Sequence, residues 1–283
     1  MKIANEWKDY KIIDMADGQK LEKWGNVTLS RPDPQIIWTS KSFPEKWKKA
    51  DAVYSRSKTG GGAWKYNKKL PDNWQIKYKN LTFNIKPMGF KHTGLFPEQA
   101  VNWDWMINKI KSAKREIKVL NLFAYTGGAT VSCLSAGASV CHVDSSKGMV
   151  SWAKENVASS NLADKKVRYI IDDVNKFVTR EIKRGNKYDA IIMDPPSYGR
   201  GAKGEVWQFE NNIYDLVELC TKVLSDKPLF FLINSYTTGI SSTVLANILN
   251  LTVNKKYNGH IESGEIGLPM ENSKLVLPCG IYG

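Results

Sequence analysis

The stretch NLFAYTGG, residues 121–128, decides the fold. It reads as the end of a buried strand, IKVLNLF (117–123), turning through two adjacent glycines into a short helix, ATVSCLSAG (129–137). Working outward, ASVCHVD (138–144) is a second strand. SKGMVSWAKENVASS (146–160) is a helix with Met149, Val150, Ala153 and Val157 on one face. KVRYII (166–171) is a third strand, 174–184 a helix, and YDAIIMD (188–194) a fourth strand. A helix over 212–224, the strand PLFFLIN (228–234) and a helix containing VLANILNL follow. Strictly alternating units predict an α/β fold with a doubly wound, mostly parallel sheet and right-handed crossovers. YNGHIESGEIGL and KLVLPCGIYG both read as strands with no helix between them. That predicts an antiparallel hairpin at one edge and seven strands in all.

The front of the chain is different. YKIID before the turn ADGQ, then AVYSR, AWKY and WQIKYKNLTFNIKP carry the alternation and aromatic content of β structure. The reading divides the chain into a small β-rich domain over 1–91 and an α/β domain over 92–283. Trp7, Trp24, Trp38, Trp47, Trp64 and Trp74 lie in the first part. Interleaved with lysines they can stack on single-stranded nucleic acid. The preferred reading is that they fill the thin core of a small β module.

Net charge is +13, and residues 1–92 hold 19 Lys/Arg against 9 Asp/Glu, whereas 93–283 hold 22 against 19. A basic front half suits an anionic partner, nucleic acid first, or else lysines that coat a solvated surface. The N-terminus MKIANEWKDYKIID is too polar for a signal peptide, and no apolar run nears the length of a membrane span. Cys133, Cys141, Cys220 and Cys279 form no CxxC pair, and His92, His142 and His260 are scattered. Reduced cysteines in a cytosolic protein without a metal site are expected.

Three strand ends carry chemistry. In an open parallel sheet, ligands bind outside the carboxyl ends of the strands. FAYTGG (123–128) lacks both the GxGxxG spacing and a Walker lysine, so phosphate cradling is disfavoured. A nucleoside cofactor with an amino-acid tail fits better, with the chain approaching it closely at Gly127. Asp144, about twenty residues on, stands where an acidic residue accepts from ribose hydroxyls. A carboxylate of Asp172–Asp173 can accept from adenine N6, although each Asp can instead cap a helix. Asp194-Pro195-Pro196-Ser197-Tyr198 follows the fourth strand as a stiff shelf with exposed carbonyls. Its carboxylate can hold an amino or ring N–H, and Tyr198 can stack on a planar base. GRGAKGEVWQFE (199–210), basic at Arg200 and Lys203, reads as a lid or phosphate-contacting loop, or as a connection anchored by Trp207 and Phe209.

NLFAYTGG, VDSS (143–146), DD (172–173) and DPPSY (194–198), in this order and spacing, resemble the motifs of class I S-adenosylmethionine-dependent methyltransferases. More narrowly the chain is similar to the bacterial large-subunit ribosomal-RNA methyltransferases grouped with the cytosine-C5 enzymes. There HTGLFPEQ (92–99) has a counterpart lying against the cofactor. The resemblance covers about 92–281. It implies S-adenosylmethionine as cofactor, lined on its methionine side by Phe123, Ala124, Tyr125, Thr126 and Gly127. Asp144 would take the ribose and Asp173 the adenine. Asp194 would border cofactor and substrate, with Pro195, Pro196 and Tyr198 facing the substrate; Arg200 and Lys203, taken from the basic loop itself, are expected to contact it. Two departures stand out. C5 methylation needs a cysteine nucleophile, and neither INSYTTG (233–239) nor DPPSYG has one. The family's small N-terminal RNA-binding fold is not recognisable in 1–90. The expected activity is therefore methyl transfer to a nitrogen of an RNA base, ribosomal RNA favoured. The alternatives are a small-molecule or protein methyltransferase, and a non-catalytic RNA-binding protein of the same fold; intact DPPSY and Asp144 weigh against the last.

Overall fold

The structure, a computed structural model, describes residues 1–57, 61–200 and 206–283. The chain divides into two compact units. One comprises Lys2–Val101 with Ile266–Cys279; the other comprises Met1, Asn102–Glu265 and Gly280–Gly283.

In the first unit, β2 (Tyr10–Ala16), β3 (Gln19–Trp24), β4 (Val27–Pro32), β5 (Ala52–Arg56) and β6 (Gly62–Tyr66) form a five-stranded sheet in sequence order. The turn after β2 is made by Asp17 and Gly18, both at positive φ, as a two-residue hairpin loop requires. A short helix, α1 (Pro44–Trp47), precedes β5, and β7 (Trp74–Tyr78) and β8 (Leu81–Ile85) make a separate hairpin. The two-residue strand β1 (Lys2–Ile3) pairs in parallel with Ile266 and Gly267. The tryptophans serve this small unit's interior. Trp24 is fully buried, and the indole N–H groups of Trp7, Trp38, Trp47, Trp64 and Trp74 donate to Pro97 O, Met15 O, Asp14 Oδ2, Met88 O and Trp24 O. Indoles spent this way agree with a structural role. At its centre Arg31 grips the buried Glu22 with Nε–Oε2 at 2.6 Å and Nη2–Oε1 at 2.8 Å, and Tyr10 Oη donates to the same carboxylate at 2.7 Å.

The second unit is the alternating one. Helix α2 (Ala100–Ser112) leads into β9 (Lys118–Leu122), α3 (Gly128–Ser135), β10 (Ser139–Asp144), α4 (Lys147–Ser159), β11 (Val167–Ile171), α5 (Val174–Lys183) and β12 (Ala190–Met193). Then come β13 (Tyr198–Arg200), β14 (Val206–Gln208), α6 (Phe209–Thr221), β15 (Phe230–Ser235), α7 (Ser242–Leu251) and α8 (Val253–Tyr257), followed by β16 (Gly264–Pro269) and β17 (Val276–Tyr282), most of whose residues are counted with the first unit. Strand order is β11-β10-β9-β12-β15-β17-β16, the expected seven, with β1 added as an eighth beside β16. The β9–β12 and β15 pairings are parallel, and β17 runs antiparallel to β15. The terminal hairpin is thus not outermost. Its last strand lies inside, next to β15, and β1 closes the edge.

The core lies between this sheet and its helices. Leu120, Leu122, Ile191, Met193 and Ile233 of the strands meet Phe177, Val178, Leu216, Val217 and Leu245 of the helices. YNGHIESGEIGL differs from expectation. Its first residue, Tyr257, ends α8, which is capped by Asn258 at φ 47°, and only Gly264 onward is strand. Helix α2, unpredicted, buries Trp103, Met106 and Ile110 at helical spacing. Among the described residues no helix is long and apolar enough to cross a membrane.

Candidate functional site

Sheet register lines up the strand ends. Leu122 of β9 is level with Val143 of β10 and Met193 of β12, so the next residues, Phe123, Asp144 and Asp194, leave the sheet side by side. Asp144 itself is level with Ile171 of β11, which places Asp172 and Asp173 just beyond.

The loop after β9 is held in an unusual shape. Phe123 and Tyr125 both occupy the left-handed region, at φ 54° and 51°. That conformation costs a non-glycine residue of order 1–2 kcal/mol. Hydrogen bonds keep it there. Ala124 N–H donates to Val143 O at 3.0 Å, Tyr125 N–H to Asp144 Oδ2 at 2.8 Å, and Gly127 N–H to Ala124 O at 3.0 Å. The Thr126 carbonyl accepts from Asn156 Nδ2 of α4 at 2.8 Å. Gly127 has φ 83°, and a Cβ there would lie 2.9 Å from the Ala153 Cβ. This glycine therefore answers to backbone and helix packing. Gly127→Ala is expected to lower unfolding free energy by roughly 2–5 kcal/mol, combining the left-handed strain with overpacking. Urea unfolding checks this, and a loss below about 0.5 kcal/mol, the level of an ordinary surface change, would refute it.

Beneath the loop lies a buried polar chain. Asn121 Nδ2 donates to Thr130 Oγ1 at 2.9 Å, which lies 2.9 Å from His142 Nδ1. Thr130 Oγ1, with one hydrogen and two lone pairs, thus joins Asn121 to the imidazole of His142. Burial pushes His142 down to about 4. The sign follows. The unfolded ring, titrating near 6.5, binds a proton that the folded one refuses between pH 6.5 and 4. Stability held above pH 6.5 is lost as pH falls through that window. Urea unfolding of wild type and His142→Asn at pH 7 and pH 5 checks this; equal pH dependence in both would refute it.

Asp144 is the hinge of the site. Each carboxylate oxygen already accepts one backbone N–H, Tyr125 on Oδ2 and Ser146 on Oδ1, both at 2.8 Å. Each keeps a further lone pair, the number a vicinal diol needs. Burial pushes its pKa up, against the lowering by the two N–H donors. Asp173 is the N-cap of α5, with Oδ1 accepting Lys176 N–H at 2.9 Å. Asp172 takes Asp173 N–H at 2.9 Å and pairs with Arg180. The cap thus occupies Oδ1 of the Asp173 carboxylate. The donor set suits a nucleoside carrying an amino-acid tail. The loop over 123–128 has paired acceptors beside it and no basic side chain for a phosphate.

The DPPSY shelf departs from expectation in one respect. Pro195 is buried, but the Pro196 carbonyl accepts Trp207 Nε1 at 2.6 Å and the Ser197 carbonyl accepts Phe209 N–H at 3.0 Å. Those carbonyls are occupied, because the chain turns back as the hairpin β13–β14 and satisfies its own backbone. Asp194 is half-buried at the end of β12. Tyr198 is half exposed on β13, and Arg200 Nε donates to its hydroxyl at 3.0 Å. Lys203 lies outside the described residues. Trp207 links the two loops, its ring centroid 5.3 Å from that of Phe123. Thr237 Oγ1, beyond β15, donates to Ser197 Oγ at 2.9 Å.

The residues that the sequence reading missed are Asn121, Thr130, His142, Asn156 and Thr237. Four of them carried a usable signal, polar side chains at apolar positions of strand or helix: Asn121 in IKVLNLF, Thr130 in ATVSCLSAG, His142 in ASVCHVD, and Asn156 beside Val157 on the buried face of α4.

Comparison with known proteins bears on this geometry. A family model described as S-adenosylmethionine-dependent methyltransferase matches residues 54–242. A crystal structure of a SAM-dependent methyltransferase from Agrobacterium tumefaciens superposes with a TM-score of 0.92 at 34% identity, covering 99% of this chain and 91% of that one. Ribosomal RNA large subunit methyltransferase K/L of Shewanella frigidimarina is 32% identical over 145 residues, 50% of this chain and 20% of that protein. Ribosomal RNA large subunit methyltransferase K of Neisseria meningitidis is 26% identical over 221 residues, 75% of this chain and 61% of that protein. The chain thus spans about a fifth of the first of these relatives and under two thirds of the second.

Proposed function

The chain belongs to the S-adenosylmethionine-dependent methyltransferase family, and from that premise we propose that it methylates a nitrogen of an RNA base, ribosomal RNA in the first place, in the cytosol. Residues 92–283 carry the reaction, and 1–91 are a basic accessory domain. Supporting the RNA substrate are the ribosomal-RNA methyltransferase relatives and the basic front half.

The observation that carries the nitrogen target is the absence of a thiol at the strand ends. Cys133, Cys141 and Cys220 are buried within α3, β10 and α6, and Cys279 lies within β17. Burial pushes Cys133 up to about 12 and Cys141 up to about 11. A carbon such as cytosine C5 needs a thiolate to make it nucleophilic; an amino or ring nitrogen has its own lone pair.

S-adenosylmethionine supplies an electrophilic sulfonium methyl. In this assignment Asp144 accepts from the ribose hydroxyls and the second oxygen of Asp173 from the adenine amine. The main chain of Phe123, Ala124, Tyr125, Thr126 and Gly127 lines the methionine end. Asp194 accepts an N–H of the target base, directing the nitrogen lone pair toward the methyl group, while Pro195 and Pro196 fix its backbone. Tyr198 stacks on the base and Arg200 contacts the strand, with Lys203 assigned to the same contact. Such positioning can contribute on the order of 7–11 kcal/mol to the barrier. A paired base has to flip out to reach Tyr198.

Incubation of undermodified RNA with methyl-labelled S-adenosylmethionine tests the proposal. Label in a nitrogen-methylated nucleoside, identified by mass spectrometry, is expected. Label in C5-methylcytosine would overturn the nitrogen target, and label only in small amines or proteins would overturn RNA.

A further inference from the structure

At the opposite ends of the strands, β9, β10 and β11 begin around a hollow of about 590 Å³. That is within the size range of small-ligand sites. Every charged residue lining it is a cation: Lys118, Lys166, Arg168 and Lys187. Residues 93–283 as a whole are nearly neutral, so the charge is concentrated here.

Behind the lining stands Glu181, fully buried on α5. Its Oε1 accepts from Arg168 Nη2 and Arg184 Nη1, both at 2.9 Å. Its Oε2 accepts from Asn186 Nδ2 at 2.9 Å and Tyr188 Oη at 2.6 Å. One negative charge therefore orders two guanidiniums, each spending one N–H of five on it. The Arg168 and Arg184 side chains stay about half exposed, and Arg168 is fixed further against the Phe177 ring at 5.3 Å. Lys187 Nζ donates to the Lys222 carbonyl at 2.7 Å and keeps two donors.

Helix dipoles explain part of this. The carboxyl end of α5 favours cations such as Lys183 and Arg184. They do not explain Lys118, Lys166 and Arg168, which stand at strand beginnings, nor a second arginine on a carboxylate that one would satisfy. Arginines pre-ordered by a buried carboxylate beside lysines are suited to phosphate oxygens.

We propose that this hollow binds backbone phosphate of the RNA substrate, away from the methylated base; this rests on the RNA reading above. The triple variant Lys118→Gln/Lys166→Gln/Lys187→Gln leaves the Glu181 network intact. Fluorescence anisotropy with labelled undermodified ribosomal RNA, across a salt series, is expected to show at least a tenfold weaker complex. The slope of log affinity against log salt should be shallower by about 2, three charges at about 0.7 each on single strands. S-adenosylmethionine affinity by calorimetry should stay within twofold. Lys166→Glu, a single change at an exposed position, should act in the same direction. Wild type binding RNA with the triple variant unchanged would overturn this proposal alone. Wild type binding no RNA would overturn the RNA reading with it. Loss of AMP binding with RNA binding unchanged would make the hollow a free-nucleotide site, overturning the RNA contact.

Discussion

Asp144→Ala is expected to weaken S-adenosylmethionine binding by about 10²–10⁴-fold, measured by isothermal titration calorimetry. Two charge-assisted hydrogen bonds to ribose hydroxyls, each about 1.5–3 kcal/mol, account for that range. The same change removes the acceptor of the Tyr125 and Ser146 N–H groups. Tyr125 sits at φ 51°, so its loop loses the tether that opposes the strain, and urea unfolding should also record a loss of about 1–3 kcal/mol. Asp144→Asn separates the effects. Its single carbonyl oxygen can serve one N–H and one hydroxyl, giving an intermediate affinity. Binding by the alanine variant equal to wild type would remove Asp144 from the cofactor site.

Asp194→Ala is expected to lower kcat for RNA methylation by about 10²–10³-fold, the usual effect of losing one aligned polar group at a reacting centre. The affinity for S-adenosylmethionine should change far less, because the ribose and adenine contacts proposed for Asp144 and Asp173 remain. Methylation rates under saturating cofactor, alongside calorimetry, separate the two. A variant with normal kcat and lost cofactor affinity would assign Asp194 to the cofactor alone.

The parts legible in sequence are those where a strand pattern stops. Apolar runs end at Phe123, Asp144 and Asp194, and a parallel sheet brings such ends into one row, so order along the chain became adjacency in space. What stayed hidden depends on long-range partners. Lys2–Ile3 is a strand only because Ile266 and Gly267 offer it an edge; two residues carry no period of their own. His142 and Asn156 went unassigned, since their partners Thr130 and Thr126 come from a helix and a loop elsewhere in the chain. The shelf's carbonyls were expected to face the substrate. Bonds from Trp207 and Phe209 consumed the Pro196 and Ser197 carbonyls, a result of backbone accounting that proline content alone does not reveal. The resemblance also pointed toward C5 chemistry, and the missing thiol redirected it.

Trp207 touches Phe123 with its ring and Pro196 with its N–H. If Phe123 lines the cofactor as proposed, a group that shifts it also bears, through Trp207, on the Pro196 carbonyl of the shelf. Thermodynamic linkage makes such coupling symmetric. If occupancy of one pocket sharpens the other tenfold, the second sharpens the first by the same factor. Trp207→Phe, which keeps an aromatic ring but loses the indole N–H, should cut that cooperativity while leaving each separate affinity nearly intact.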